Sequence, residues 1–136
     1  MLAKANRVTA AVDYRRITRT GRRQRGEFVL AYGRWSEPEQ PLRMGVIVAR
    51  NVGNAVVRNR VRRRIKAVGW SLASGRDGAS GSDGASGIDR APGFTGLDVV
   101  IRALPGSALA SWPALQAEVR EAVRMLAASR PAGAVR

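Results

Sequence analysis

An α+β domain, with one central sheet and helices packed against it, is the fold class this sequence predicts, on three observations. Segments of helical period alternate with short β-rich runs in the order helix, strand, strand, helix, strand, helix. A chain of 136 residues that is 45% hydrophobic suits one domain with one modest core. A single stretch with almost nothing to bury, Ser74 to Gly96, interrupts that order without adding to it.

The elements follow in turn. After a basic N-terminal segment, VDYRRITRTG places Val12, Arg16 and Thr20, or Tyr14, Ile17 and Gly21, at helical spacing, with Gly21 as the stop. GEFVLAYGRW is rich in β-branched and aromatic residues and reads as a strand, which the polar break SEPEQP ends. LRMGVIVAR reads as a second strand, its near-continuous apolar run implying burial on both faces. The two strands are expected to be antiparallel neighbours, with room for a short extra strand near Gly33 to Arg43.

The next segment, GNAVVRNRVRRRIKAVGW, is helical in period. At 100° per residue Val57, Val61, Ile65, Val68 and Leu72 fall in one stripe, while Arg58, Asn59, Arg62, Arg63 and Lys66 spread over the opposite side. Asn54 caps the start and Gly69 weakens the end, so the helix is expected from about Ala55 to about Trp70. Arg58, Arg60, Arg62, Arg63, Arg64 and Lys66 fall within nine residues and no acid falls among them. A solvated helix face mixes signs; this one does not, and an anionic partner is the expectation.

Ser74 to Gly96 holds a near repeat, DGASGS then DGASGI, of small and turn-forming residues, and is expected to be a flexible insertion. LDVVIRAL then reads as a strand, with Val99 and Ile101 on one face and Asp98, Val100 and Arg102 on the other. Pro105 and Gly106 end it. Ser111 caps a final helix that packs through Leu115, Val119, Ala122, Val123 and Leu126. The expected organisation is one domain over 1–130, interrupted at 74–96, and a tail over 131–136.

Composition narrows the chemistry. The chain has no Cys and no His, which removes disulfides, thiolate and imidazole metal sites, and every triad that needs a His base. No apolar run is long enough to span a membrane and no secretory pattern opens the sequence, so a cytoplasmic location is expected. Net charge is +14 and lies almost wholly in the first half: Met1 to Trp70 holds 17 basic against 4 acidic residues, a net +13. From Gln40 to Arg76 there is no carboxylate at all. Such a surface suits a polyanion, whose condensed counterions are released on contact.

The run MGVIVARNVGNAVVRNRVRRRIKAV, Met44 to Val68, resembles the signature of the bacterial ribonuclease P protein family: a buried strand, a short loop with GNAV and a helix opening RNR-x-x-R-R. NRV at Asn6 to Val8, VDYRR at Val12 to Arg16, EFVLAY and VVIRALPGS agree with it, so the resemblance spans most of the chain. It implies an αβββαβα sandwich, a fold shared with the second domain of one small-subunit ribosomal protein, whose βαβ crossover is left-handed. It also implies an accessory subunit of an RNA enzyme that removes 5′ leaders from precursor tRNA. The RNA is the catalyst, with Mg2+ held through it and no cofactor bound by the protein alone, and the partners are the ribonuclease P RNA and the precursor tRNA leader.

Carried onto this sequence, the family's RNA-docking motif falls on Arg58, Asn59 and Arg60, continued by Arg62, Arg63 and Lys66. The family's leader cleft, between the first helix and the sheet, falls on Tyr14, Arg15, Thr18, Phe28, Tyr32 and Arg50. The sequence departs from the pattern there. The second aromatic of the helix is Thr18, the strand aromatic falls at Ala31 with Tyr32 one place along, and the basic pair of the loop thins to Arg50 and Asn51. Tyr32 substitutes only if a register slip or bulge turns it to the cleft. The leader contact is then expected to lean on charge more than on stacking. Each also has an ordinary reading, Tyr14 and Phe28 as core aromatics, Phe28 the more readily of the two, and Tyr32 as a plain strand residue. The rival classes are a basic ribosomal or other structural RNA-binding protein, a DNA-binding module and a stand-alone nuclease.

Overall fold

The computed structural model describes residues 6–36, 40–73 and 95–128. The repeat-bearing insertion, apart from Thr95 and Gly96, and the tail lie outside the described residues. The elements are α1 (Ala11–Thr20), β1 (Arg22–Arg25), β2 (Val29–Trp35), β3 (Arg43–Ile47), α2 (Ala55–Ala73), β4 (Leu97–Ala103) and α3 (Trp112–Ala128), with 3-10 turns at Arg50–Val52 and Pro105–Ala108. They form one four-stranded mixed sheet in the order β1-β2-β4-β3.

That order corrects the expected pairing. β2 and β3 are not neighbours: β4 lies between them, antiparallel to β2 and parallel to β3. The physical reason is the composition of β4, in which every residue from Leu97 to Ile101 is buried, so only a central place covers both its faces and both its edges. β3 is instead an edge strand, with Val46 and Ile47 only half-buried, and its outer side takes a bridge from Arg7, where the Val8 N–H donates to the Met44 carbonyl at 3.1 Å.

The extra strand lies at Arg22–Arg25, not near Gly33 to Arg43. Its sequence, RRQR, holds no apolar residue, so no periodicity marks it. It pairs with β2 as a charged outer strand, a composition that discourages pairing with other chains. Gly96 already belongs to the ordered sheet end: its N–H donates to the Gln40 carbonyl and its carbonyl accepts from the Ser36 N–H, both at 2.7 Å. Its φ of +84° is one that favours glycine.

The sheet has two covered faces. On one, α2 and α3 pack onto Val29, Ala31, Leu97, Val99 and Ile101. α2 buries Val61, Ile65, Val68 and Leu72 as expected, and Gly69 is itself buried and does not end the helix, which runs on to Ala73. α3 buries the five expected residues. On the other face α1 lays Ile17 against Val8, Leu30, Tyr32 and Val100. Caps fix the helix starts, with Asn54 Oδ1 accepting from the Val57 N–H at 2.9 Å and Ser111 Oγ from the Ala114 N–H at 3.2 Å.

Glu118 ties α3 to the sheet. Its carboxylate accepts the N–H groups of Glu27, Phe28 and Val29 at 3.1, 2.7 and 2.8 Å, holding the turn between β1 and β2. Three donors converge on one side chain, so this turn needs no ladder partner of its own.

Candidate nucleic-acid interface

Two basic surfaces stand on opposite sides of the sheet. The first is the outer side of α2, entered from a tight loop: a Cβ on Gly53 would fall 2.8 Å from Cγ1 of Val57, so only glycine lets the loop turn this closely into the helix. Asn59 and Arg63 are exposed, and Arg62 and Lys66 are half-buried beside them. Arg62 Nη1 donates to Asn59 Oδ1 at 3.0 Å, one helical turn back, so the amide orients the guanidinium. Arg58, one position before Asn59, folds toward the loop and donates from Nε to the Gly53 carbonyl at 3.1 Å. Arg60 and Arg64 lean the other way, donating to the carbonyls of Ala108 and Ala110 at 3.5 and 3.4 Å.

None of these basic side chains is paired with a carboxylate among the described residues. Where they bond at all, they bond neutral acceptors, which leave the cationic charge uncancelled. The helix therefore presents fixed, un-neutralised positive charge, the arrangement that binds phosphate.

The second surface is the α1 side of the sheet. Paired residues of neighbouring strands share a face, so the register defines it. One row runs Arg23, Tyr32, Val100, Gly45, and the next runs Arg25, Leu30, Arg102, Ile47. Tyr14 descends from α1 onto Gly45, where a Cβ would fall 2.6 Å from Cε1, Cζ and Oη of the ring, so the tyrosine lies against the strand only because that residue is glycine.

Tyr32 reaches this face with no bulge or register slip: its pairing with Arg23 and Val100 is continuous and it packs beside Ile17. Ala31 faces the α2 and α3 core instead. The condition set on Tyr32 from the sequence is thus removed. The residue is only 8% exposed, which leaves little of it for a ligand. Thr18 is half-buried on α1 and its hydroxyl is taken up by the carbonyls of Tyr14 and Arg15, at 3.0 and 3.2 Å. Arg15 and Arg50 are exposed, the latter in the turn just past β3.

Phe28 is a cleft residue that the structure sets apart. It precedes β2, in the turn that Glu118 holds, and packs against the α2 and α3 core, so it does not join the tyrosines.

The register also brings in residues the cleft reading lacked. Arg23 and Arg25 are exposed and Arg102 half-buried on the face that carries Tyr32. Alternation in β4 already put Arg102 beside Val100; what the sequence could not supply was β1, and with it the facing of Arg23 and Arg25.

One end of this face is closed by an ion network. Asp98, 3% exposed, takes a two-pronged contact from Arg43, Nε to Oδ1 at 2.9 Å and Nη2 to Oδ2 at 2.8 Å. Arg43 also lies 3.9 Å from Asp13 of α1. The hydrogen bond to Asp98 pushes the Arg43 pKa up, against burial that lowers it, and the charges of Asp98 and Asp13 add to the rise. The guanidinium thus ties the start of α1 to the sheet.

Comparison with known proteins gives the kinship and the fold. The Ribonuclease P family model matches residues 2–77, more than half of the 136. The chain is 39% identical over 123 residues to the ribonuclease P protein component of Clavibacter michiganensis subsp. michiganensis, covering 90% of this chain and 94% of that protein. It is 36% identical over 123 residues to that of Arthrobacter sp., covering 90% and 78%. Among solved structures, the RNase P protein of Staphylococcus aureus superposes with a TM-score of 0.68 at 20% identity, covering 90% of this chain and 95% of that one. That of Thermotoga maritima gives 0.63 at 17%, covering 87% and 96%. These two likenesses carry the fold, and the sequence matches carry the kinship. The basic helix and its GNAV loop lie within the residues that the family model matches, on a β1-β2-β4-β3 sheet, and the chain belongs to the ribonuclease P protein family.

Proposed function

We propose that this chain is the RNA-binding protein subunit of ribonuclease P, assisting a catalytic RNA in removing 5′ leaders from precursor tRNA. The observation that carries the proposal is the outer side of α2: Asn59, Arg62, Arg63 and Lys66 stand together, unpaired with any carboxylate among the described residues, in the motif that marks the family. On this reading that side docks on the RNA subunit through phosphate contacts. The α1 side of the sheet takes the single-stranded leader, with Tyr14 and the little of Tyr32 that is exposed against bases and Arg15, Arg23, Arg25, Arg50 and Arg102 near phosphates.

The charge-led leader contact expected from the missing aromatics gains support from three further arginines and from the low exposure of Tyr32. Chemistry on this reading belongs to the RNA and its Mg2+, since the chain offers no His or Cys to act as base, nucleophile or soft ligand. No helix among the described residues is long and apolar enough to cross a membrane, and a cytoplasmic place with the RNA is part of the proposal.

The test is cleavage of a leader-bearing precursor tRNA at low Mg2+ by a bacterial ribonuclease P RNA, with and without the protein, beside the protein alone. Rescue is expected only with both present, and poor rescue by an Arg62→Ala, Arg63→Ala variant. Cleavage by the protein alone, or no rescue by the unmodified chain, would overturn the proposal.

A further inference from the structure

The two most exposed large apolar side chains among the described residues are Leu109, at 91%, and Val56, at 74%. Both stand beside the same stripe of α2. Val56, Arg60 and Arg64 follow one another at four-residue spacing, one above the next on the helix. Arg60 and Arg64 bond the carbonyls of Ala108 and Ala110, the residues on either side of Leu109. The turn that carries Leu109 is anchored from beneath: Ser107 is wholly buried with its hydroxyl on the Leu104 carbonyl at 2.7 Å, and Ala110 belongs to the core. Leu109 is therefore held outward by a rigid turn, with its two neighbours tied to the basic helix.

A lone exposed leucine means little. Here two exposed apolar side chains and two arginines form one strip, and the segments that build it, 40–73 and 99–117, contain no Asp or Glu. A protein partner offering an apolar surface would meet uncancelled charge. An RNA supplies both complements, phosphates for the guanidinium side and the flat face of an unstacked base for the leucine.

We infer that the turn 105–110 is a second edge of the RNA-docking face, with Leu109 and Val56 making apolar contact with an unstacked base of the RNA subunit beside the phosphates held by α2. This rests on the reading of α2 as the docking face. It adds a contact that is apolar and therefore independent of salt.

The experiment measures affinity of the full chain for ribonuclease P RNA across a salt series, for the unmodified protein, Leu109→Ala, Val56→Ala and Arg63→Ala. Leu109→Ala is expected to weaken binding by about tenfold with an unchanged slope of log affinity against log salt, as loss of a stacking contact does. Arg63→Ala is expected to weaken binding and flatten the slope. If Leu109→Ala and Val56→Ala bind as the unmodified chain does while Arg63→Ala is impaired, the inference fails and α2 stands. If Arg63→Ala is also unimpaired, the docking reading itself fails. Conversion of a dimer to a monomer by Leu109→Ala, with RNA affinity unchanged, would assign the strip to a second copy of this chain and overturn the inference.

Discussion

On α2 the basic side chains come from one uninterrupted helix, whereas on the α1 side of the sheet Arg23, Arg25 and Arg102 come from two strands separated by about 75 residues of sequence and meet only because β2 lies between β1 and β4. On the first surface Arg58, Arg60, Arg62 and Arg64 bond neutral carbonyls and an amide. The second has tyrosines between its cations and is closed at one end by a true ion network, Asp13, Arg43 and Asp98. A charged face on a single helix survives local change, because each residue is placed by the helix itself. A face assembled from strands depends on every contact that fixes the register.

The largest effect is expected at Asp98. Replacing it by Ala leaves the Arg43 guanidinium without its buried partner, and a loss of roughly 3 kcal/mol is expected, somewhat discounted because Arg43 is partly exposed. Urea denaturation reads this directly; an unchanged midpoint would mean the pair contributes nothing. Because the Arg43 pKa is raised in the fold, its contribution is fully present below the ordinary arginine range and is lost only as pH rises beyond it. No weakening from this group is expected anywhere near neutrality.

Gly45→Ala is the next largest. The new methyl must displace the Tyr14 ring, at a cost of about 1–3 kcal/mol for overpacking. Binding of a leader-bearing substrate should weaken while affinity for the RNA subunit stays as it was, and equal loss of both would show that the faces are not separable. Glu118→Gln should cost about 1–2 kcal/mol, since both carboxylate oxygens accept from the turn and the amide keeps only one acceptor oxygen, setting an NH2 against an N–H at the other. Hydrogen exchange at Glu27, Phe28 and Val29 is the sensitive probe, with faster exchange expected in the turn.

Arg63→Ala sharpens the contrast from the other side. An exposed helix residue should change stability by no more than about 0.5 kcal/mol. Its effect belongs to binding, where one lost phosphate contact lowers the salt slope by about 0.7–0.9.

Legibility in the sequence divided along the same line. Helix α2, its cap at Asn54, its buried stripe and its charged side were all readable, because period and local hydrogen bonding determine them. The packing residues of α3 were readable for the same reason. β1 was not, since RRQR has no apolar residue to reveal a strand, and the order of β2, β4 and β3 was not, since register and neighbour choice are long-range. The facing of Tyr32 followed those misses: without β1 and β4 on either side of β2, nothing local says which face is α1's. Gly69 read as a helix breaker because propensity is local, while burial of α2 against its neighbours overrides it.

Separate action of the two basic surfaces, as proposed, is tested with the assembled ribonucleoprotein. Affinity would be measured for precursor tRNA with a leader and for the same tRNA without one, using the unmodified protein, an Arg23→Ala, Arg25→Ala variant and an Asn59→Ala, Arg63→Ala variant. The strand variant is expected to lose discrimination in favour of the leader while keeping its affinity for the RNA subunit, and the helix variant to do the reverse. Leader discrimination unchanged in the strand variant, or lost equally in both, would contradict it.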